Sequence, residues 1–356
     1  MDNGSICFIG DVRFSIDGPT EFKNILIKEF NKKDIYEKDF DVSWKIDYKP
    51  NLLAEDIDGR LKKEERGAFF DTGYSADIDW KRETVTIHYD KRILDDTLIN
   101  RIAKFWDWSY MSPTEIFIKN TVYDILEPIS HVVMSGKGSG FIHASAVSGG
   151  SEKEGSALFT GEGGVGKTAL AIQGIKNDLN YMNDDLSLVD NDVFCYHYPK
   201  NLQIYGYNID VDPSLKKRFF QNKSLLNKIM WRLRYTLKGG SSVRRRVDPR
   251  RLFGNSITKR SRISEVFFLR RGDTLEIEPM DKTRFVDKEL EIIKEEFSDF
   301  ISSLKKDNRK MYDSFVEGTK KLYKNIYENS NCRTVYIPDD MDFEKVFTHI
   351  ENEGLF

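Results

Sequence analysis

Residues 161–168 read Gly-Glu-Gly-Gly-Val-Gly-Lys-Thr, a full match to the pattern G-x-x-x-x-G-K-[S/T]. No other stretch narrows the possible folds as far. The pattern works only where a strand runs into the first turn of a helix. There its glycines let successive N–H groups converge on one anion, and the helix N-terminus adds positive charge. The flanks meet this condition, with a short apolar strand over 156–160 and helical periodicity over 168–177. The candidate nucleotide-binding residues are therefore Gly161, Glu162, Gly163, Gly164, Val165, Gly166, Lys167 and Thr168, with Ala169 behind them. Lys167 is placed to reach the β- and γ-phosphates, and the Thr168 hydroxyl to ligate Mg²⁺. ATP is the commonest such donor, so ATP with Mg²⁺ is the expected ligand.

The strand before the loop adds a second constraint. A strand at 141–147 is followed by a loop at 148–155 and then by the loop strand. So short a connection cannot hold a crossover helix, so the two strands are expected to be antiparallel neighbours. The expected class is α/β (α+β), a P-loop core with a mixed sheet, preceded by a small β-rich domain. The boundary falls near residue 108, giving domains 1–108 and 109–356. In the first, strands are expected at 6–16, 40–48, 67–78 and 83–89, with a helix at 22–30. Helical periodicity follows at 94–106 and 114–134, the second opened by Ser112-Pro113-Thr114-Glu115 as cap and N1 proline. A hairpin is expected from strands at 181–188 and 193–198, about Asp190-Asn191-Asp192. One basic amphipathic helix is expected at 213–237, with Leu215, Phe219, Leu226, Ile229 and Leu233 on its apolar side. A strand at 264–270, helices across 290–326, a strand at 334–337 and a helix at 342–351 complete the reading.

The net charge of −3 conceals an asymmetry. Residues 215–262 hold sixteen lysines and arginines against the single acid Asp248, a local charge of +15 that leaves −18 on the rest. Such a segment attracts anions. The three cysteines (Cys7, Cys195 and Cys332) are far apart and show no metal-ligand spacing. Free thiols in a reducing cytoplasm are expected. No apolar run approaches the roughly 20 residues that span a bilayer, and the N-terminus does not read as a signal peptide, so no membrane partner is expected.

Asp184 and Asp185 end an apolar strand seventeen residues beyond Lys167, one short helix and one strand away. One carboxylate can hold Mg²⁺, the role given to Asp184, and the other can accept a proton from an attacking hydroxyl. His143, in the strand before the loop, is a further candidate. The run from Arg244 to Arg251 follows a Gly/Ser loop that could close over a nucleotide. One guanidinium there, with Arg245 as the candidate, would neutralise charge on the transferred group.

With these residues in view, the chain resembles the HPr kinase/phosphorylase family, which shares its fold with phosphoenolpyruvate carboxykinase. The resemblance rests on His-Ala-Ser-Ala-Val at 143–147, the hairpin, the phosphate loop, the short helix and Asp184-Asp185. It implies phosphate contacts for Lys167 and a metal contact for Thr168. It also implies metal support and base catalysis from the Asp184–Asp185 pair, a phosphate site lined by His143, and self-association as rings. The family phosphorylates serine hydroxyls on HPr, on peptides or on free serine. This chain departs from it in carrying Gly163 where the loop usually has Ser, and Ala169 in place of a Glu. It also lacks the family's downstream Gly-rich signature. The expected function is an ATP- and Mg²⁺-dependent kinase acting on a hydroxyl acceptor: a small molecule, a peptide or protein serine, or RNA, with an anionic acceptor drawn by residues 215–262. Two alternatives are a nucleotide-binding switch with slow ATPase activity and an RNA-binding protein with an RNA-directed kinase site.

Overall fold

The computed structural model describes residues 6–30, 43–50, 61–63, 74–89, 94, 111–149, 155–210, 213–221, 223–240, 242–254 and 256–353. All but residue 94 of the helix expected at 94–106 lies outside them, as do 40–42 and 67–73 of two expected strands. The chain is mixed α/β with mixed sheets.

One sheet takes its six strands from the N-terminal part, in the order Ile6–Ile9, Val12–Asp17, Ser43–Pro50, Thr84–Tyr89, Tyr74–Asp79 and Leu61–Lys63. Burial alternates residue by residue along Val12–Asp17, so this sheet has one wet face and one dry face. On the dry face lies the helix Thr20–Phe30, whose Phe22 ring packs against Tyr48, Tyr89 and Phe117. Phe117 belongs to the helix Pro113–Thr121, which opens on the expected cap: Ser112 and Glu115 exchange hydrogen bonds as a capping box. Through such contacts the core of this sheet continues without a break into the rest of the chain.

The second sheet has nine strands. Along its main path the order is Asn180–Asn183, Ala144–Ser148, Ser156–Gly161, Arg260–Arg271, Phe194–Tyr196, Ser187–Asp190 and Ser139–Ile142. Asn331–Ile337 pairs beside Arg260–Arg271, and Glu276–Pro279 lies beyond it. Ser156–Gly161 is antiparallel to Ala144–Ser148, as the short loop requires, and parallel to Arg260–Arg271.

Two expected strands are in fact broken. Residues 141–147 divide at His143, and 181–188 divide at Asp184–Leu186. The halves go to opposite ends of the main path: Ala144–Ser148 pairs with Asn180–Asn183, and Ser139–Ile142 with Ser187–Asp190. Ile142 and Ala144 are separated by one residue, about 7 Å of extended chain. The path therefore curls until its two ends meet at His143 and Asp184, where the Ser187 hydroxyl donates to Ala144 O (2.9 Å). The helix Lys167–Lys176 leaves the loop strand at the same place.

The expected helix at 213–237 is two helices, Pro213–Phe219 and Leu225–Lys238. Leu215 and Phe219 are buried as expected, but Leu226, Ile229 and Leu233 face solvent. The second helix is held through its other side instead, by Met230, Trp231 and Arg234. The apolar period is real, but its side is not the packed one.

Candidate active site

The loop 161–168 is held by close contacts at two of its glycines, Gly161 and Gly166. Gly161 has φ +135°, and a Cβ there would lie 2.5 Å from Leu269 O. Gly166 has φ +111°, and its Cβ would lie 2.0 Å from Phe343 Cε1. Lys167 is buried and folds back over the loop, donating to Gly161 O (2.7 Å) and Glu162 O (3.0 Å). Arg271, at the end of the neighbouring strand, donates to Gly164 O (2.9 Å) and pairs with Asp339.

Thr168 and Asp184 meet. The Thr168 hydroxyl donates to Asp184 Oδ1 (2.7 Å), and Ser145 donates to the same oxygen (2.5 Å). Burial raises the Asp184 carboxyl above its usual range. A buried carboxylate beside a hydroxyl is a donor pair that suits Mg²⁺. Among the described residues no group of three or more His, Cys, Asp or Glu could hold a metal by itself. Mg²⁺ does not need one, since it is commonly held by one or two protein oxygens together with substrate phosphates and water.

Asp185 has φ +73°, a left-handed conformation that is costly for a residue with a side chain and that collects at functional sites. Its Oδ2 accepts from Lys200 Nζ (2.9 Å), and its Oδ1 lies 3.7 Å from His143 Nε2. Burial alone would raise the Asp185 pKa, but Lys200, His143 and Lys167 together hold it below the ordinary carboxylate value. Burial pushes His143 down to about 4, with Lys167 adding to the effect. His143 is thus uncharged at neutral pH, and its approach to Asp185 is a polar contact between a neutral ring and an anion. Its Nδ1 is buried and has no hydrogen-bond partner among the described residues. Glu296 Oε2 lies 4.0 Å from that nitrogen, and burial, reinforced by Asp185, raises Glu296 to about 7.

Several of these groups carry no sequence motif. Lys200 is the chief example: it is 4% exposed, and its ammonium also reaches Glu127 Oε1 (3.2 Å) and sits 3.6 Å from the Tyr123 ring centroid. Burial would lower its pKa, but Asp185 and Glu127 hold it well above the ordinary value, so it stays charged. Tyr123 lies in Val122–Leu126, a single π-helical turn between two α-helices, a feature that is frequent at functional sites. Ser145 falls within the His-Ala-Ser-Ala-Val run, which was the one signal that could have found it.

Among the arginines, Arg244 lines the cavity and Arg245 does not. Strand alternation in Arg244–Val247 sends Arg245 to the other side. There it is buried, donates to Asn227 Oδ1 (2.8 Å) and lies against Phe219 and Trp231. Arg246 pairs with the buried Glu29 of the first helix. The basic segment is therefore not one solvated face, since Arg234 and Arg245 are interior.

Many of these groups line one open cavity of ≈ 1030 Å³. Its lining takes in Gly163, Gly164, Gly166, Lys167 and Thr168 of the 161–168 loop, with Asp184, Asp185 and His143, and also Lys200, Tyr123, Tyr205 and Arg244. Of the sequence candidates, Arg245 is turned away from it, and Gly161, Glu162 and Val165 are not part of its lining.

No family model matches the chain, and no curated protein matches it. Among solved structures, the chain is similar to the Hpr(Ser) kinase/phosphatase from Coxiella burnetii. The identity is 11% and the TM-score 0.29, over 60% of this chain and 96% of that one. No helix among the described residues is long and apolar enough to cross a membrane.

Proposed function

We propose that this chain is a kinase that transfers the γ-phosphoryl group of ATP to a hydroxyl acceptor. One observation carries the reading. A phosphate loop with its lysine, a hydroxyl–carboxylate pair fit for Mg²⁺, and a second carboxylate kept ionised all border a single cavity.

The loop N–H groups and Lys167 hold the β- and γ-phosphates. Thr168 and Asp184 would hold Mg²⁺, which would supply positive charge to offset that of the phosphate oxygens. Asp185 accepts the acceptor's proton as its oxygen bonds to the γ-phosphorus and the bond from that phosphorus to the bridging β-oxygen breaks, releasing ADP. Lys200 keeps Asp185 ionised and oriented. Neutral His143 offers its ring to the same carboxylate. Arg244 and Arg271 stand at the cavity wall, where a guanidinium would stabilise charge on the transferred group. A cavity this large leaves room for an acceptor of the size of a small metabolite or a peptide side chain.

The test is transfer of label from γ-labelled ATP with Mg²⁺ to a panel of small hydroxyl compounds, a peptide extract and total RNA. Label is expected in one acceptor class, lost in Lys167→Ala and reduced about a hundredfold or more in Asp185→Asn. Nucleotide binding with slow hydrolysis and no labelled acceptor would instead assign the site to a switch.

A further inference from the structure

Among the described residues, the large hydrophobic side chains that stand exposed are Tyr207 and five from one helix: Leu225, Leu226, Ile229, Leu233 and Leu237. Their exposures run from 43% for Leu233 to 74% for Leu225. At helical spacing they fall within an arc of about 120° and form a stripe roughly 18 Å long. Lys228 and Arg232, both exposed, follow one edge of the stripe. The opposite side of the helix is fixed to the body of the protein by Met230, Trp231 and Arg234. This is an aliphatic ridge on a rigid mount, set in the segment of charge +15. Aliphatic surface concentrated in this way marks a contact.

We propose that this helix lays its leucine stripe into the surface of an anionic lipid bilayer as a reversible, peripheral attachment. Charge and size select this occupant. A second copy meeting the same face about a two-fold axis would bring one strongly basic segment against another. A stable protein interface uses about 20–30 residues on each side, and the ridge offers five aliphatic anchors. RNA would use the lysines and arginines but not the leucines, because single strands are held by aromatic stacking. An anionic bilayer uses both: the leucines enter the headgroup boundary while Lys228 and Arg232 remain among the phosphates. Lying on a membrane is distinct from spanning one, so the lack of a spanning helix among the described residues does not bear on it.

The full chain is sedimented with vesicles of phosphatidylcholine alone and with vesicles that also contain phosphatidylglycerol. It is expected to pellet with the anionic vesicles and to be released by salt. Leu226→Glu/Ile229→Glu is expected to lower the bound fraction about tenfold, with an unchanged melting temperature because both residues are exposed. Lys228→Glu/Arg232→Glu is expected to weaken binding and flatten its salt dependence. Wild type that stays in the supernatant, or that binds neutral vesicles equally well, overturns the proposal. So does a leucine variant that binds like wild type. Self-association or RNA binding that is lost in the leucine variant, without vesicle binding, assigns the ridge to that other partner.

Discussion

The two walls of the cavity are built on different principles. The phosphate-loop wall is mostly backbone: glycines at left-handed φ, a helix N-terminus, and a lysine folded over two carbonyls. Its requirement is steric at Gly161 and Gly166, where an added Cβ would meet Leu269 O and the Phe343 ring. The second is a buried charge set, in which Lys200 answers both Glu127 and Asp185 beside the Tyr123 ring. Its requirement is balance: each charge is tolerable only while its partners remain. Substitution should therefore abolish binding at the first wall and cost stability at the second.

The largest effect belongs to the steric wall. Gly166→Val places its side chain against Phe343 at a backbone angle that valine avoids. Nucleotide affinity, measured by titration of a fluorescent ATP analogue, is expected to fall roughly a hundredfold or more, because the loop N–H groups lose their convergence. The fold should persist, since the loop lies at the surface of the cavity. Affinity within a few-fold of wild type would show that the loop adapts and that steric fit does not govern it.

Next comes the balanced wall. Lys200→Met takes the ammonium from the buried Glu127, which keeps the Tyr198 hydroxyl as a donor (2.9 Å), in a set where burial already raises its pKa. Removing one partner from such a pair costs about 3–5 kcal/mol, read as a lower midpoint in urea. Adding Glu127→Gln to Lys200→Met should restore part of the loss, because the orphaned charge is gone. If the double variant is less stable than the single one, the wall is not organised by charge balance.

How far each wall could be read from the sequence follows from the same difference. A backbone-built site needs fixed residue types at fixed spacing, so Gly161 to Thr168 was legible at once. The antiparallel loop hairpin was legible too, because a short connection permits little else. The helix cap at Ser112 and the Asp190 hairpin follow equally local rules. A charge set such as Lys200, Glu127 and Glu296 is assembled from distant segments by tertiary packing, and nothing local marks it. The strand breaks at His143 and Asp184 were hidden as well, since both halves of each strand remain apolar and only the curl of the sheet separates them. In the 213–237 helix the apolar period was legible but its side was not: periodicity says that a face is apolar, never that it is covered.

Arg244 and Arg245 sharpen the comparison at smaller scale, because adjacent residues fall on opposite sides of one strand. Arg244→Met should lower kcat/KM for phosphate transfer roughly tenfold, the loss of one charged hydrogen bond, with little change in stability. Arg245→Met should do the reverse, lowering the melting temperature while leaving kcat/KM near wild type, because that guanidinium is bound to Asn227 and packed on Phe219 and Trp231. Equal kinetic losses in both variants would mean that the strand, rather than one side chain, supports the site.

The smallest effect concerns a charge lodged behind the steric wall. Glu289 is buried, accepts from Thr160 (2.5 Å), and is raised by burial to about 8; Glu296 is raised to about 7. In the unfolded chain both titrate near the ordinary value of 4.5. Between that value and about 7 to 8, the folded protein holds protons that the unfolded chain has released. Stability from these two groups is therefore complete below the unfolded pKa and is lost as pH rises through the folded values. Asp185, held low, acts in the opposite sense, and its contribution is lost only in acid. Wild type should thus melt at a lower temperature at pH 8.5 than at pH 5.5. Glu289→Gln, which keeps an acceptor for Thr160 and cannot ionise, should show a shallower fall over the same range. An identical fall in wild type and variant would mean that Glu289 does not hold its proton in the folded protein.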